Sequence, residues 1–253
     1  RQFRARIGQA RPQRVGGVLC DEEDQMLGVR HFIDRGHADA VTAAVICEPQ
    51  DGMICTSQKG AVRARFQLAG KMCHGAMPLS GLNTAPALAE LIQGLHRLES
   101  TAANHLGRDD HLGWPSFTPT VIQAPVGGVP QLNVVPGESC ILVDIRTLPR
   151  QSHPAIVNDL KELARDVERR CRTHYRDYDR LLGIARSCDL GIDLAILTDR
   201  PCTRTAPEEP IVQAAAWATR TVTGSEPVYG GVPGATDGTF LWALKHIPIV
   251  TMG

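Results

Sequence analysis

The strongest constraint on the fold is a change of rhythm along the chain, followed by a return to the first rhythm near the end. A strand-like apolar run from Val15 to Cys20 passes through the acidic turn Asp21-Glu22-Glu23-Asp24 into a helical stretch from Met26 to Ile33. A second apolar strand follows, from Val41 to Cys47. Strand, helix, strand, with the strands apolar throughout, describes a βαβ unit in a sheet buried on both faces. The alternation returns with a helix from Pro210 to Val222, a glycine-rich turn from Gly230 to Gly238, a helix from Thr239 to Lys245 and a strand from Ile247 to Thr251. These two pieces are expected to share one sheet, mixed or parallel, between helices.

The middle runs differently. Strands are expected at Ala61 to Leu68, Thr118 to Ala124, Ser139 to Ile145 and Ile192 to Leu197, and helices at Asn83 to Leu98 and Pro154 to Arg172. The order β-α-β-β-α-β is that of a ferredoxin-like sandwich, four antiparallel strands with two helices on one face. The chain thus reads as an α/β protein of two domains, one formed by residues 1–57 with 206–253 and one inserted at 58–205. A length of 253 residues, near the ~250 at which single cores stop growing, suits that division. The stretch from Ala102 to Pro115 reads as a loop, and Arg169 to Arg180 as a charged surface segment.

Charge narrows the partners. Lysine and arginine together number 27, as do aspartate and glutamate, so no net field draws the whole surface to nucleic acid or to an anionic membrane. A small-molecule partner is expected. No apolar run nears the ~20 residues that span a bilayer and no signal peptide is visible, so the expectation is a soluble, cytoplasmic protein. The eight cysteines form no CxxC pair and are expected to be reduced packing residues. Arg1 to Ala10 has the periodicity of a helix already under way, and both ends read as cut from a longer protein.

Two apolar strands end in carboxylates. Glu22 and Glu23 follow the first; Glu48, held by Pro49, follows the second. Ligands bind outside the carboxyl ends of strands in open α/β sheets, so carboxylates delivered there can divide the work of metal ligand and general base. The glycine-rich stretch before Gly238 lacks the lysine-serine ending of a phosphate-binding loop, which argues against a nucleotide. Asp237 can be read simply as the cap of the helix that follows.

Asp-Glu-Glu after one strand, Glu48-Pro49 after the next and Lys59-Gly60 opening an insertion resemble the dinuclear-zinc deacylases and peptidases. That family includes acetylornithine deacetylase, succinyl-diaminopimelate desuccinylase, aminoacylase and the glutamate carboxypeptidases. Three later motifs agree in order: Gly70-Lys71-Met72-Cys73-His74-Gly75-Ala76-Met77-Pro78 with Gly81 and Asn83; Asn133-Val134-Val135-Pro136 running to Asp144-Ile145-Arg146; and Gly234-Ala235-Thr236-Asp237-Gly238 before Ile247-Pro248.

The resemblance implies hydrolysis of the amide of an N-acyl amino acid, with two divalent metal ions, zinc ahead of cobalt or manganese. Glu22 becomes the general base, and Glu23 and Glu48 become metal ligands. His74 supports the oxyanion in the active site of the neighbouring subunit of a homodimer, and Asn133, Arg146, Gly234 and Thr236 bind substrate. The family's remaining ligands, a histidine two residues ahead of an aspartate, a bridging aspartate and a final histidine, have no counterpart in the sequence. A dipeptidase or carboxypeptidase of the same family, or a non-catalytic relative acting only through its dimerisation domain, stays open at this point.

Overall fold

The computed structural model describes residues 16–185 and 189–253. The expected helix at Arg1 to Ala10 lies outside them. Two main sheets are present. The first is mixed and runs β1 (Ala44–Ile46), β11 (Ile249–Thr251), β2 (Ile54–Gln58), β10 (Tyr229–Val232), with the short β9 (Thr203–Arg204) paired to β2. β1 with β11 and β2 with β10 are parallel, whereas β11 and β9 meet β2 antiparallel.

Alternation along β11 explains the layers. Ile249 joins Met26, Val29, Ile33, Phe240 and Leu241 beneath the helices α1 (Leu27–Asp34) and α5 (Gly238–Lys245). Val250, one residue on, joins Ile54, Val212, Ala215 and Ala216 beneath α4 (Pro210–Thr223). Successive strand residues face opposite sides, so three layers form.

The second sheet is antiparallel throughout, in the order β5 (Ser116–Gln123), β7 (Glu138–Thr147), β3 (Gly60–Ala69), β8 (Gly191–Arg200). Val62, Ala64, Phe66 and Leu68 of β3 and Ile141, Val143 and Ile145 of β7 bury one face under α2 (Ala85–Leu106) and α3 (His153–Leu182). With β4 (Cys73–His74) and β6 (Val134–Val135) as a separate small ribbon, the expected β-α-β-β-α-β sandwich is present. Arg63, Asp144, Arg146 and Arg200 lie on the opposite face of this sheet.

Three local expectations fail. Residues 16–20 form no strand, and Val18 is 103% exposed. Among the described residues they pair with no strand; instead the Cys20 carbonyl accepts from the Gly28 N–H at 3.1 Å and anchors the start of α1. Tyr229–Val232 is a strand, although its last three residues are expected to begin a turn. Its glycines are tolerated because Met53 and Leu112 fill the space where their side chains would be. The helix α2 runs on to Leu106, five residues into the expected loop, because Ala102 still packs on the core; Gly107, at φ 70°, then ends it. The seven described cysteines are all free thiols. No described helix is long and apolar enough to cross a membrane.

Candidate functional site

The acidic turn is held by its own first residue. Asp21 sits at φ 67°, its carbonyl accepts from Met26 N at 2.7 Å, and its carboxylate accepts from the N–H groups of Gln25 and Leu27 at 3.2 Å each. That leaves Glu22 and Glu23 free of helix-capping work. Burial pushes the Glu22 carboxyl above the usual carboxylate range, helped by the charges of Glu48, Asp237 and Glu23 and opposed by Arg200. Burial likewise raises Asp237, with Glu48 and Asp21 adding to it and Arg200 again opposing. The fold therefore gathers Glu22, Glu48 and Asp237 into one acidic cluster although 215 positions separate the first from the last.

Asp237 does not cap α5. Its backbone is already helical, at φ −49° and ψ −30°, and its side chain makes no capping bond. Its Oδ1 is buried without a hydrogen-bond partner. A cap needs extended backbone to turn its oxygen back onto the first N–H groups, and this residue lacks it.

Among the described residues no three His, Cys, Asp or Glu side chains converge closely enough to hold a metal ion. The cluster supplies carboxylates without a histidine, so the described residues do not by themselves make the dinuclear centre that the resemblance implies.

One end of the inserted sheet meets the acidic turn through Arg200. Arg146 donates to Asp144 from Nε at 2.5 Å and from Nη2 at 3.2 Å, and Arg63 donates to the same carboxylate at 3.2 Å. The Nη1 of Arg146 lies 3.7 Å from where a Cβ on Gly234 would stand. Arg200, 6% exposed, donates from Nη2 to the Asp24 carbonyl and so ties the end of β8 to the acidic turn.

Thr236 is 4% exposed and lies inside a polar hub rather than at an open surface. The Gln58 side chain donates from Nε2 to its hydroxyl at 2.9 Å and to that of Thr251 at 2.7 Å, while the Thr236 N–H donates to Oε1 of Gln58 at 3.2 Å. The hub holds the 234–238 turn on the end of β2.

His74 and Asn133 come together on the β4–β6 ribbon. The Ala76 N–H donates to Nδ1 of His74 at 3.1 Å, which leaves Nε2 facing the Asn133 amide at 3.4 Å. No hydrogen bond or ion pair joins this pair to Glu22, Glu48 or Arg146 among the described residues. The structure thus forms three groupings: Glu22, Glu23, Glu48 and Asp237; Arg146 with Gly234, next to the turn that holds Thr236; and His74 with Asn133. Sequence reasoning gave no role to Gln58 or Arg200. Their importance lies in partners distant in the chain, 178 positions away for Gln58 and Thr236 and 176 for Arg200 and Asp24.

The fold is thus a layered α/β sheet with carboxylates gathered at its edge, interrupted by an antiparallel sandwich that carries two helices on one face. Residues 56–171 match the peptidase dimerisation domain of the M20 group. The chain is 30% identical to the acetylornithine deacetylase of Aliivibrio salmonicida over 154 residues, covering 60% of this chain and 39% of that protein. It is 21% identical to an uncharacterized metallohydrolase of Methanococcus maripaludis, covering 88% of this chain and 54% of that one. Among solved structures, the aminopeptidase PepT of Bacillus cereus superimposes with a TM-score of 0.64 at 16% identity, over 92% of this chain and 53% of its own. The likeness to the M20 peptidase dimerisation domain thus falls on the inserted sandwich, and the proteins that the chain resembles in sequence and fold are a deacetylase, a metallohydrolase and an aminopeptidase. The chain spans about half the length of those relatives, or less.

The acidic cluster should weaken the fold at neutral pH. A carboxyl whose folded-state pKa is raised contributes stability below the ordinary carboxylate range, and that contribution is lost as pH rises through the raised value. Asp237→Asn removes the loss, so its melting temperature should exceed wild type at neutral pH by a few degrees, roughly 2–4 °C, a gain kept small because the site is partly open to solvent. The gain should vanish once both proteins are melted well below the ordinary carboxylate range. A variant less stable than wild type at neutral pH would show that the Asp237 charge is compensated.

Proposed function

We propose that the full-length protein is a metal-dependent hydrolase that cleaves the amide of an N-acyl amino acid, of the deacetylase or desuccinylase kind. The observation that carries the reading is the meeting of the Glu22, Glu48 and Asp237 carboxylates with a lid face whose Arg146 points a free guanidinium edge at the Gly234 turn. Glu22 is the proposed general base, taking a proton from the attacking water and returning it to the leaving amine. Glu23 and Glu48 are the proposed contributions of the described residues to a divalent-metal site, for zinc, cobalt or manganese. Arg146 and Asn133 bind the substrate, beside the Gly234 backbone that Thr236 holds in place. The segment 58–205 acts as lid and dimerisation domain, and His74 serves the site of the twin subunit in a homodimer.

The test uses the full-length protein on N-acetyl and N-succinyl amino acids and on dipeptides, following release of free amine. Hydrolysis of the N-acyl amino acids, lost with a chelator and restored by zinc, cobalt or manganese, is expected. Turnover of dipeptides alone would move the assignment to a peptidase, and no turnover of either class would end it. In the same assay, mixing inactive Glu22→Gln with inactive His74→Ala subunits should restore roughly a quarter of wild-type activity, the share of intact sites in randomly paired two-fold dimers. Absence of any recovery, in subunits shown to exchange, would confine His74 to its own subunit.

A further inference from the structure

The acidic turn is anchored in both domains. In the catalytic domain the Asp21 carbonyl and carboxylate accept from the N–H groups of Gln25, Met26 and Leu27. From the inserted domain, Arg200, 6% exposed, donates through Nη2 to the Asp24 backbone carbonyl. Glu22 and Glu23 stand between these two anchors. Because the acceptor is a main-chain carbonyl, Arg200 fixes the path of the backbone at the turn without engaging a carboxylate there. Its charge nonetheless reaches the cluster, opposing the rise of the Glu22 and Asp237 carboxyls. Burial holds the guanidinium itself below its usual range, with Arg63 and Arg146 adding to the effect and Glu22 and Asp24 opposing it.

The same arginine is in register with Arg146. Arg200 on β8 and Arg146 on β7 are both cross-strand partners of Ala61 on β3, so the three form one row across the sheet. Directly opposed residues share a face with Cβ atoms about 5 Å apart, which sets the two arginines roughly 10 Å apart with no flexible segment between them. The register is firm at this row: the β3–β7 pairing runs without a break from Gly60 to Ala69, and the irregularity in β3–β8 falls between Arg63 and Ala64, beyond it. One end of the row holds the turn that carries Glu22, and the other brings Nη1 of Arg146 to the Gly234 turn.

Resting on the N-acyl amino acid reading above, we propose that Arg200 is a positioning residue that determines specificity: through the Arg146–Ala61–Arg200 row it sets the Glu22 turn at a fixed distance from the carboxylate clamp. Hydrolysis is thereby matched to an amide on the carbon that bears the substrate's carboxylate. An amide one methylene further away is still gripped by Arg146 but presented out of line with Glu22.

Arg200→Met keeps the apolar stem and removes every donor, whereas Arg200→Lys keeps a charged donor. The substrates are the isomers N-acetyl-alanine and N-acetyl-β-alanine, which differ in the spacing of amide and carboxylate. The full-length wild type should favour the α isomer by about tenfold or more in kcat/KM, the discrimination that one methylene allows. Arg200→Met should lower kcat on the α isomer by roughly 100-fold, the effect of a misplacement of ~1 Å, with KM changed by less than about threefold, and should bring the isomer ratio toward unity. Arg200→Lys should recover most of both. A role in stability alone would lower the melting temperature of Arg200→Met and leave the kcat of the folded protein and the isomer ratio unmoved. A loss confined to KM would make Arg200 part of the carboxylate grip. Either result overturns the proposal.

Hydrogen exchange reads the tie without turnover. The amides of Gln25, Met26 and Leu27 should exchange about tenfold faster in Arg200→Met than in wild type, and near the wild-type rate in Arg200→Lys. Faster exchange in a protein that hydrolyses neither isomer would keep the tie and remove the hydrolase. Hydrolysis with an α preference, a kcat and an exchange rate that all ignore Arg200→Met would keep the hydrolase and remove the role of Arg200. Should Arg200→Met fail to fold, Arg200→Gln, with an uncharged donor on a shorter arm, replaces it in both measurements and the same outcomes decide.

Discussion

Glu22→Gln should lower kcat of the full-length protein by roughly 100- to 10,000-fold, the range that a positioned general base contributes, while leaving the fold at least as stable as wild type. The two halves of that result have one cause. Burial and the charges of Glu48, Asp237 and Glu23 raise the Glu22 carboxyl, so its ionised form is held in place against repulsion. Glutamine keeps the shape and loses the charge, relieving the repulsion and removing the carboxylate proposed to accept the proton. A loss of activity through misfolding would instead lower the melting temperature. Glu23→Gln serves as the comparison, because a ligand role predicts metal loss where a base role does not. Near wild-type turnover in Glu22→Gln, or equal metal loss in both variants, would remove the assignment of base and ligand to these neighbours.

The inserted domain was legible because strand periodicity is local. Val62, Ala64, Phe66 and Leu68 alternate with Ala61, Arg63, Arg65 and Gln67, and the same alternation puts Asp144 and Arg146 on the face away from the helices. An expectation that needs only neighbouring residues survives folding well. The carboxylates after the two apolar runs were legible as chemistry but not as geometry: the described part of the run before Glu22 forms no strand, and its apolar character did not make it one. Asp237 read as a cap because aspartate before a helix usually is one, and its φ and ψ decide otherwise. Gln58 and Arg200 could not be found at all from the sequence. A glutamine at a strand end and an arginine at another have no pattern of their own; the hub around Thr236 and the tie to Asp24 exist only once the two sheets meet.

Arg146→Ala should cost kcat/KM roughly 30-fold to several thousand-fold on an N-acyl amino acid, equivalent to on the order of 2–5 kcal/mol for a carboxylate left without its partner. The side chain is well prepared for that task. Asp144 engages Nε and Nη2, fixing the guanidinium plane, and Nη1 is left toward the Gly234 turn. Lysine cannot reproduce a planar fork braced by a carboxylate behind it, so Arg146→Lys should also be impaired, though less than alanine. The loss should not come from unfolding, because Asp144 in the alanine variant still has Arg63 at 3.2 Å. The measurement that decides compares an N-acyl amino acid with its methyl ester. Wild type should prefer the free acid, and Arg146→Ala should lose that preference while the ester, which never used the fork, is penalised far less. If wild type turns over acid and ester alike, or the substitution slows both by the same factor, Arg146 is not the clamp for the carboxylate beside the scissile bond.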